Sequence, residues 1–459
     1  MREAVGDAPT AVGRADAAGP GVVEAARLVR EHLLSPVELL SRHLDRIQAL
    51  DPDLRAFHAL DLDGAREAAV HAERAVLAGR ALGPLHGVPV ACKRLFDTAA
   101  PGRREAAAPA ALRAAGAVPL GTTVAPDLFD FDSPARNPWD RSRTPGWSSG
   151  GSAVAVAAGL VPGALGSDTV GSVRIPAALC GVVGMRPSRG RIDRRGLAVM
   201  SETFDEVGPL AGRVEDVAAL LGVLEPAAHL ATSAERAADV RGLRIAVPAG
   251  RFHERCAPYI SAAVAEAARI LCAAGAELHE AYVPDDCFDG DLTRTVIAVD
   301  TADRLRGRAG DQAPPRGPIA DAARLGARVD AAERAALRGR LHDLRRAWAR
   351  VTTRVDVLVV PTVPVPAAAS DASYVRHGGG TYESVTAVYP RLCRPAVLVG
   401  APALTVPAGL SPEGLPFAVQ FLGAAGGDAA VLRAGAAYQA AIGPFPHPPG
   451  LAGACPRPR

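Results

Sequence analysis

Position 93 holds the only lysine in this chain; every other one of its 51 Lys and Arg residues is arginine. A guanidinium does not lose its proton in a protein, whereas a desolvated ammonium does so near neutral pH, so this one basic residue is able to act as a proton acceptor. Lys93 ends the apolar run Val88-Pro89-Val90-Ala91-Cys92, which reads as a buried strand, the setting that lowers a lysine pKa. The bland alternative is a leftover surface lysine in an arginine-biased chain, and the apolar run argues against it.

A second concentration of chemistry lies at 144–176. Thr144-Pro145-Gly146-Trp147-Ser148-Ser149-Gly150-Gly151-Ser152 leads into the small-residue stretch Ala153 to Leu160. After a short connection comes Gly166-Ser167-Asp168-Thr169-Val170-Gly171-Ser172-Val173-Arg174-Ile175-Pro176. Two Ser/Gly loops thus flank an expected helix. Glycine lets backbone approach a ligand closely, and a Ser/Gly turn feeding a helix offers N–H groups to a developing anion. A flexible linker would stay polar, and here an apolar run follows at once. Gly146-Trp147-Ser148-Ser149-Gly150 also matches the Gly-x-Ser-x-Gly nucleophile elbow. That motif needs a strand before it, and the turn-rich stretch Asn137 to Pro145 predicts none. No His-Glu-x-x-His pair and no Cys/His cluster of zinc spacing occurs, so neither metal nor cofactor is expected.

The elements that must position these loops alternate in type. Ser35-Pro36-Val37-Glu38 reads as N-cap, N1 and N3 of a helix with Leu39, Leu40, Leu44 and Ile47 on its apolar face, and a second helix is expected over 63–79. Strands are expected at Leu243 to Pro248, Asp356 to Val360, Ala403 to Pro407 and Phe417 to Leu422, with helices at 260–275 and 428–441. The pattern predicts an α/β fold, a sheet covered by helices. Residues 321–354 read as a long amphipathic helix or helix pair, with Leu337, Leu341, Leu344, Trp348 and Val351 on one stripe. Nine arginines and four acids occupy the remainder. The interleaved acids favour a solvated face over a tRNA or membrane contact. Residues 1–20 are expected to be a flexible arm, 21–443 a single domain, and the Pro-rich 444–459 a loose tail.

Composition sets outer limits. Hydrophobic residues make up 49% and charged residues 22% of 459, and the formal net charge of +2 gives no pull toward nucleic acid or anionic lipid. The amino-terminal end lacks the basic head and apolar core of a secretory leader, and no run reaches the roughly 20 apolar residues of a membrane span. Seven widely spaced cysteines form no framework, which favours the reducing cytoplasm.

The chain resembles the amidase signature family of serine hydrolases. The matching pieces run nearly end to end: Gly83-Pro84-Leu85-His86-Gly87-Val88-Pro89-Val90-Ala91-Cys92-Lys93, Leu112 to Ala117, the double loop from Asn137 to Arg191, Phe204-Asp205-Glu206-Val207-Gly208-Pro209, Val360-Pro361-Thr362, Gly400 to Gly409, and Gly414-Leu415-Pro416. The resemblance implies a large twisted mixed β-sheet core surrounded by α-helices and a Ser-Ser-Lys triad: Ser172 as nucleophile, Ser148 as bridging serine after a cis peptide, and Lys93 as base. It further implies an oxyanion hole of backbone N–H groups from Thr169, Val170, Gly171 and Ser172. Asp168 and Arg174 take positions that tie the two loops together, and Ser149 and Gly150 support the site. The expected reaction is hydrolysis of a carboxamide C–N bond through an acyl-enzyme. The partners expected are a small-molecule amide and, as one option, a second copy in a homodimer, without nucleic acid or membrane.

Four departures from the family pattern stand out. Val170 replaces the first Gly of Gly-Gly-Ser, which requires a negative φ there. Trp147 replaces Gly before the bridging serine, so its ring either lines the pocket or strains the loop. Arg94 follows the lysine where an acid is common, which helps keep the amine neutral. The stretches 94–111 and 124–136 are shorter than the resemblance leads one to expect. Two other readings stay open: an amidase-fold scaffold without turnover, and the A subunit of a glutamine-dependent aminoacyl-tRNA amidotransferase. The latter branch typically carries Gln where this chain has Ile175 and Ser-Leu-Asp-Gln where it has Thr203-Phe204-Asp205-Glu206.

Overall fold

A computed structural model of the chain describes residues 19–96, 105–126, 133–225, 239–307, 317–377 and 380–451. Eleven strands form one mixed sheet: β1 (Phe57–Leu60), β2 (Pro89–Lys93), β3 (Val118–Thr123), β4 (Gly163–Asp168), β5 (Val183–Arg186), β6 (Glu206–Ala211), β7 (Arg244–Ala246), β8 (Glu277–Leu278), β9 (Val357–Pro361), β12 (Ala403–Leu410) and β13 (Pro416–Gly423). A separate hairpin pairs β10 (Tyr374–Arg376) with β11 (Tyr382–Ser384). The spatial order is β1-β3-β2-β4-β6-β5-β12-β13-β9-β7-β8. β3, β2 and β4 run parallel, as do β9, β7 and β8, and the strands between pair antiparallel. The α/β sheet covered by helices is the one the periodicity predicts, and its mixed strand directions are those the family resemblance implies.

Side-chain alternation divides the core between the two faces. On β2, Val90 and Cys92 join one apolar cluster while Ala91 joins another; on β4, Leu165 and Ala164 divide the same way. The expected elements form with shifted ends: helices at Pro36–Leu54, Leu62–Leu77, Pro258–Ala273 and Asp428–Ile442, and a helix pair at Pro318–Arg328 and Ala331–Thr352. Ser35 caps its helix by accepting from the Val37 and Glu38 amides, but Glu38 pairs with Arg42 instead of closing a capping box.

Two residues of that first helix reach the far end of the helix that follows the first Ser/Gly loop, Gly150–Ala157. Arg46 Nε donates to Ala158 O at 2.6 Å and His43 Nδ1 lies 3.2 Å from Gly159 O, so buried polar groups satisfy carbonyls that the helix end leaves open. Arg46 Nη2 also donates to Leu451 O at 3.1 Å. The Pro-rich end is therefore docked over its described part. Phe445 meets Trp139 edge to face with centroids 5.7 Å apart, and Leu451 is buried. Residues 1–18 of the expected arm and 452–459 of the expected tail lie outside the described residues, as do 97–104 and 127–132 within the two short stretches.

Candidate active site

Lys93 is the last residue of β2, and Ser167 and Asp168 are the last two of β4, its parallel neighbour. Ligand sites of α/β sheets sit beyond such carboxyl ends. The Lys93 side chain is fully buried; its Nζ donates to Ser148 Oγ at 2.6 Å and to Ser167 Oγ at 2.8 Å. Burial pulls its pKa down to about 7, with Arg94 acting in the same direction and the Asp205 and Asp168 carboxylates opposing. The bond from Lys93 to Ser167, together with the Ser149 Oγ contacts to the Ser167 carbonyl and amide at 3.3 Å each, fastens the first loop to the second.

The first loop has no strand before it. Residues 137–145 are bends and turns with one isolated bridge, Arg143 to Ala369, which removes the elbow match. Asn137 organises this segment by donating to Thr144 O and Leu179 O, both at 3.0 Å. Ser148 is partly exposed, Ser149 is buried at the N-cap position and Gly150 opens the helix, its amide donating to Trp147 O at 2.7 Å. Trp147 neither opens onto solvent nor bends the chain into a cis form. Its ring is buried with Ile175, Leu179, Val363, Val388 and Tyr389. No cis peptide occurs among the described residues, which corrects the expected cis bond before Ser148; the trans form is favoured at a non-prolyl bond by roughly 3–4 kcal/mol.

In the second loop Asp168 is the organising group. Arg174 grips its carboxylate with Nε and Nη2 at 2.9 and 3.0 Å, Arg186 Nη1 approaches the same group at 3.1 Å, and all three side chains are fully buried. Burial alone would raise this carboxyl; the two guanidiniums overcome it and hold the pKa well below the ordinary carboxylate range. Arg174 Nη1 goes on to Gln420 Oε1 on β13 and to Cys393 O, and Arg186 Nη2 to Phe204 O. The expected tie between the two Ser/Gly loops is thus placed differently. Asp168 and Arg174 anchor the second loop to the sheet, and Lys93, Ser149 and Ser167 join the loops.

Ser172 is buried in the turn ahead of the helix Arg174–Cys180. Its hydroxyl makes no hydrogen bond to Ser148, so only the Lys93 to Ser148 link of the expected relay is closed in this state. Catalytic contacts often tighten only with substrate bound. Of the four expected anion donors, the Gly171 amide already donates to Asp168 Oδ1 at 2.9 Å. Those of Thr169, Val170 and Ser172 remain. Gly171 has φ +108°, and a Cβ there would sit 2.8 Å from Cys393 Cβ, so no other residue fits. Val170 is not among the described residues of positive φ, as its branching requires, and its side chain packs between two apolar clusters.

Two members of this site are not singled out by the sequence. Ser167 stands there only as one residue of its loop, yet it is the second hydroxyl on Lys93. Asp205 is buried, accepts from the Met200 amide at 2.5 Å, and acts on Lys93 electrostatically; burial raises its own pKa, while Thr169 and Lys93 oppose that. Its place beside Glu206 at the start of β6, antiparallel to β4, is the signal that locates it.

Among the described residues no group of three or more His, Cys, Asp and Glu is arranged to hold a metal ion, and no helix is long and apolar enough to cross a membrane.

A family model described as Amidase matches residues 38–432. The A subunit of the glutamyl-tRNA(Gln) amidotransferase from Roseiflexus castenholzii is 35% identical over 479 aligned positions, spanning 91% of this chain and 95% of that one. Among solved structures, a protein from a vestigial complex described as revealing the evolutionary origins of an s-triazine catabolic enzyme superposes with a TM-score of 0.82 at 29% identity, covering 93% of this chain and 100% of the other. A bacterial aryl acylamidase of the amidase signature enzymes superposes with a TM-score of 0.78 at 25% identity, covering 92% and 96%. The chain belongs to the amidase signature family, whose enzymes act on amide C–N bonds.

Proposed function

We propose that this chain hydrolyses a small-molecule carboxamide with Ser172 as nucleophile, Ser148 as proton bridge and Lys93 as base. The observation that carries the reading is a fully buried amine, its pKa brought to about 7, held 2.6 Å from the Ser148 hydroxyl. Neutral Lys93 takes the Ser148 proton as Ser148 takes that of Ser172, and Ser172 Oγ bonds to the carbonyl carbon. The oxyanion meets backbone N–H groups of Thr169, Val170 and Ser172. Collapse breaks the C–N bond while the relay returns the proton to the departing amine, and water then cleaves the acyl-enzyme by the same relay.

Intact-protein mass spectrometry after treatment with a fluorophosphonate tests it, with wild type beside Ser172→Ala and Lys93→Ala. One adduct on wild type, absent from both variants, is expected. An unlabelled wild type overturns the reading and favours an amidase-fold scaffold. The likeness to amidotransferase A subunits supports a second reading, in which the amide is glutamine and partner subunits receive the ammonia. Ile175 and Thr203 to Glu206 weigh against it, and glutaminase assays with and without such partners decide. The six described cysteines are unpaired, which supports a cytoplasmic location. A homodimer is part of the proposal, and light scattering on the purified chain reads it directly.

A further inference from the structure

The helix Ala331–Thr352 carries most of the arginines that the sequence leaves as a solvated face, and one of them combines partial burial with an unpaired guanidinium nitrogen. Arg345 is half-buried, and its Nη2 is shielded from solvent without a hydrogen-bond partner. It lines a cavity of about 530 Å³ together with Arg189 and Arg191 of the segment after β5. The charges there are unevenly matched. Arg191 is committed to Glu225 at 2.5 Å and Asp428 at 2.6 Å, and Asp428 also accepts from the Ser188 amide at 2.8 Å. Nearby Glu206 gives one oxygen to the Gly190 amide at 3.0 Å. Among the described residues, neither Arg189 nor Arg345 has an ion pair, although the Arg189 charge also acts on the Glu206 carboxyl; burial first and the Arg189 charge second hold Arg345 below the ordinary arginine range.

Half-buried Arg345 and exposed Arg189 line one cavity whose lining carboxylate, Glu225, is taken by Arg191; the two like charges repel, and the missing component is an anion. Guanidinium forks match tetrahedral oxyanions in a bidentate way, and the cavity is far larger than one such group needs, leaving room for a molecule that carries it. None of Lys93, Ser148 and Ser172 lines this cavity, so it is a second site. We propose that it binds a phosphate-bearing small molecule, whose phosphate oxygens accept the N–H groups of Arg189 and Arg345.

Isothermal titration calorimetry on the full chain at fixed ionic strength tests this, with inorganic phosphate and glycerol 3-phosphate as probes. Saturable one-to-one binding of at least one probe is expected, weakened at least about tenfold in Arg189→Gln and in Arg345→Gln. Arg338→Gln, which removes an exposed arginine from the same helix, is expected to leave binding unchanged. Preference for glycerol 3-phosphate identifies a carried phosphate and preference for inorganic phosphate a free one. Absence of saturable binding by wild type tighter than about 10 mM overturns the proposal, and so does equal binding by all the variants. Arg189 is exposed, so its variant keeps the test decisive if Arg345→Gln does not fold.

Discussion

Lys93 Nζ lies 2.6 Å from Ser148 Oγ and 2.8 Å from Ser167 Oγ, and among the described residues no carboxylate bonds to it directly. An ammonium brings three donors and a full charge into this buried spot, whereas a neutral amine needs only to share protons with hydroxyls that can turn either way. Lys93→Arg keeps the charge and removes the base. Its kcat is expected to fall by about 10³-fold or more. Wild-type turnover in that variant, measured on any amide the wild type cleaves, overturns the role.

Ser167 is expected to position the amine without touching substrate. Its hydroxyl is an acceptor that favours protonated Lys93, so Ser167→Ala lowers the lysine pKa further and moves the acid limb of the pH profile to lower pH. A purely structural role would lower activity without moving that limb.

The pH dependence has a definite sign. With Lys93 at about 7, its protonated fraction dominates below that value and the base is lost, so kcat/KM rises with pH through the region of about 7 and levels above it. The same depression makes folding favour the neutral amine, so this group's contribution to stability rises with pH between the folded pKa and the ordinary lysine value of 10.5. A pH–rate profile flat from pH 5 to 9, roughly two units either side, argues against a titrating lysine.

Asp168→Asn leaves two buried guanidiniums without their carboxylate and is expected to cost about 3–5 kcal/mol in urea unfolding. Because the folded pKa is held below the unfolded value, Asp168 stabilises the fold above pH 3.8, and that contribution is lost as pH falls below it. The variant is expected to lack this part of the acid destabilisation.

Gly171→Ala places a Cβ against Cys393 at a φ of +108°. A loss of about 1–3 kcal/mol is expected, with activity reduced beyond what the lost fold accounts for, because the turn that presents Ser172 must shift. Thermal denaturation alongside fluorophosphonate labelling rates separates the two effects.

Much of the site was legible because its signals are local. A single lysine at the end of an apolar run and two Ser/Gly loops around a small-residue helix are properties of composition and spacing, and the strands and helices around them follow from periodicity with ends shifted by a few residues. The partners of Asp168 were not legible. Arg186, the second guanidinium on Asp168, comes from β5, while Gln420 and Cys393, which accept from Arg174, come from β13 and the turn before the helix Arg394–Val399, up to some 250 residues away, and no local pattern reports which strands a sheet of this order places side by side. The burial of Trp147, the trans bond after it and the docking of Phe445 and Leu451 were beyond reach for the same reason.

The sequence by itself determined which residue can serve as a base, where the flexible-backbone loops lie, and the α/β class, because residue chemistry and hydrophobic period are written along the chain. Only the tertiary structure decided that Lys93 is desolvated to near-neutral pKa, that Ser167 and Asp205 act on it, that Gly171 donates its amide to Asp168, and that Arg345 and Arg189 line one cavity. Each of these depends on burial and on distances between segments far apart in sequence, and those quantities exist only once the sheet has brought its strands together.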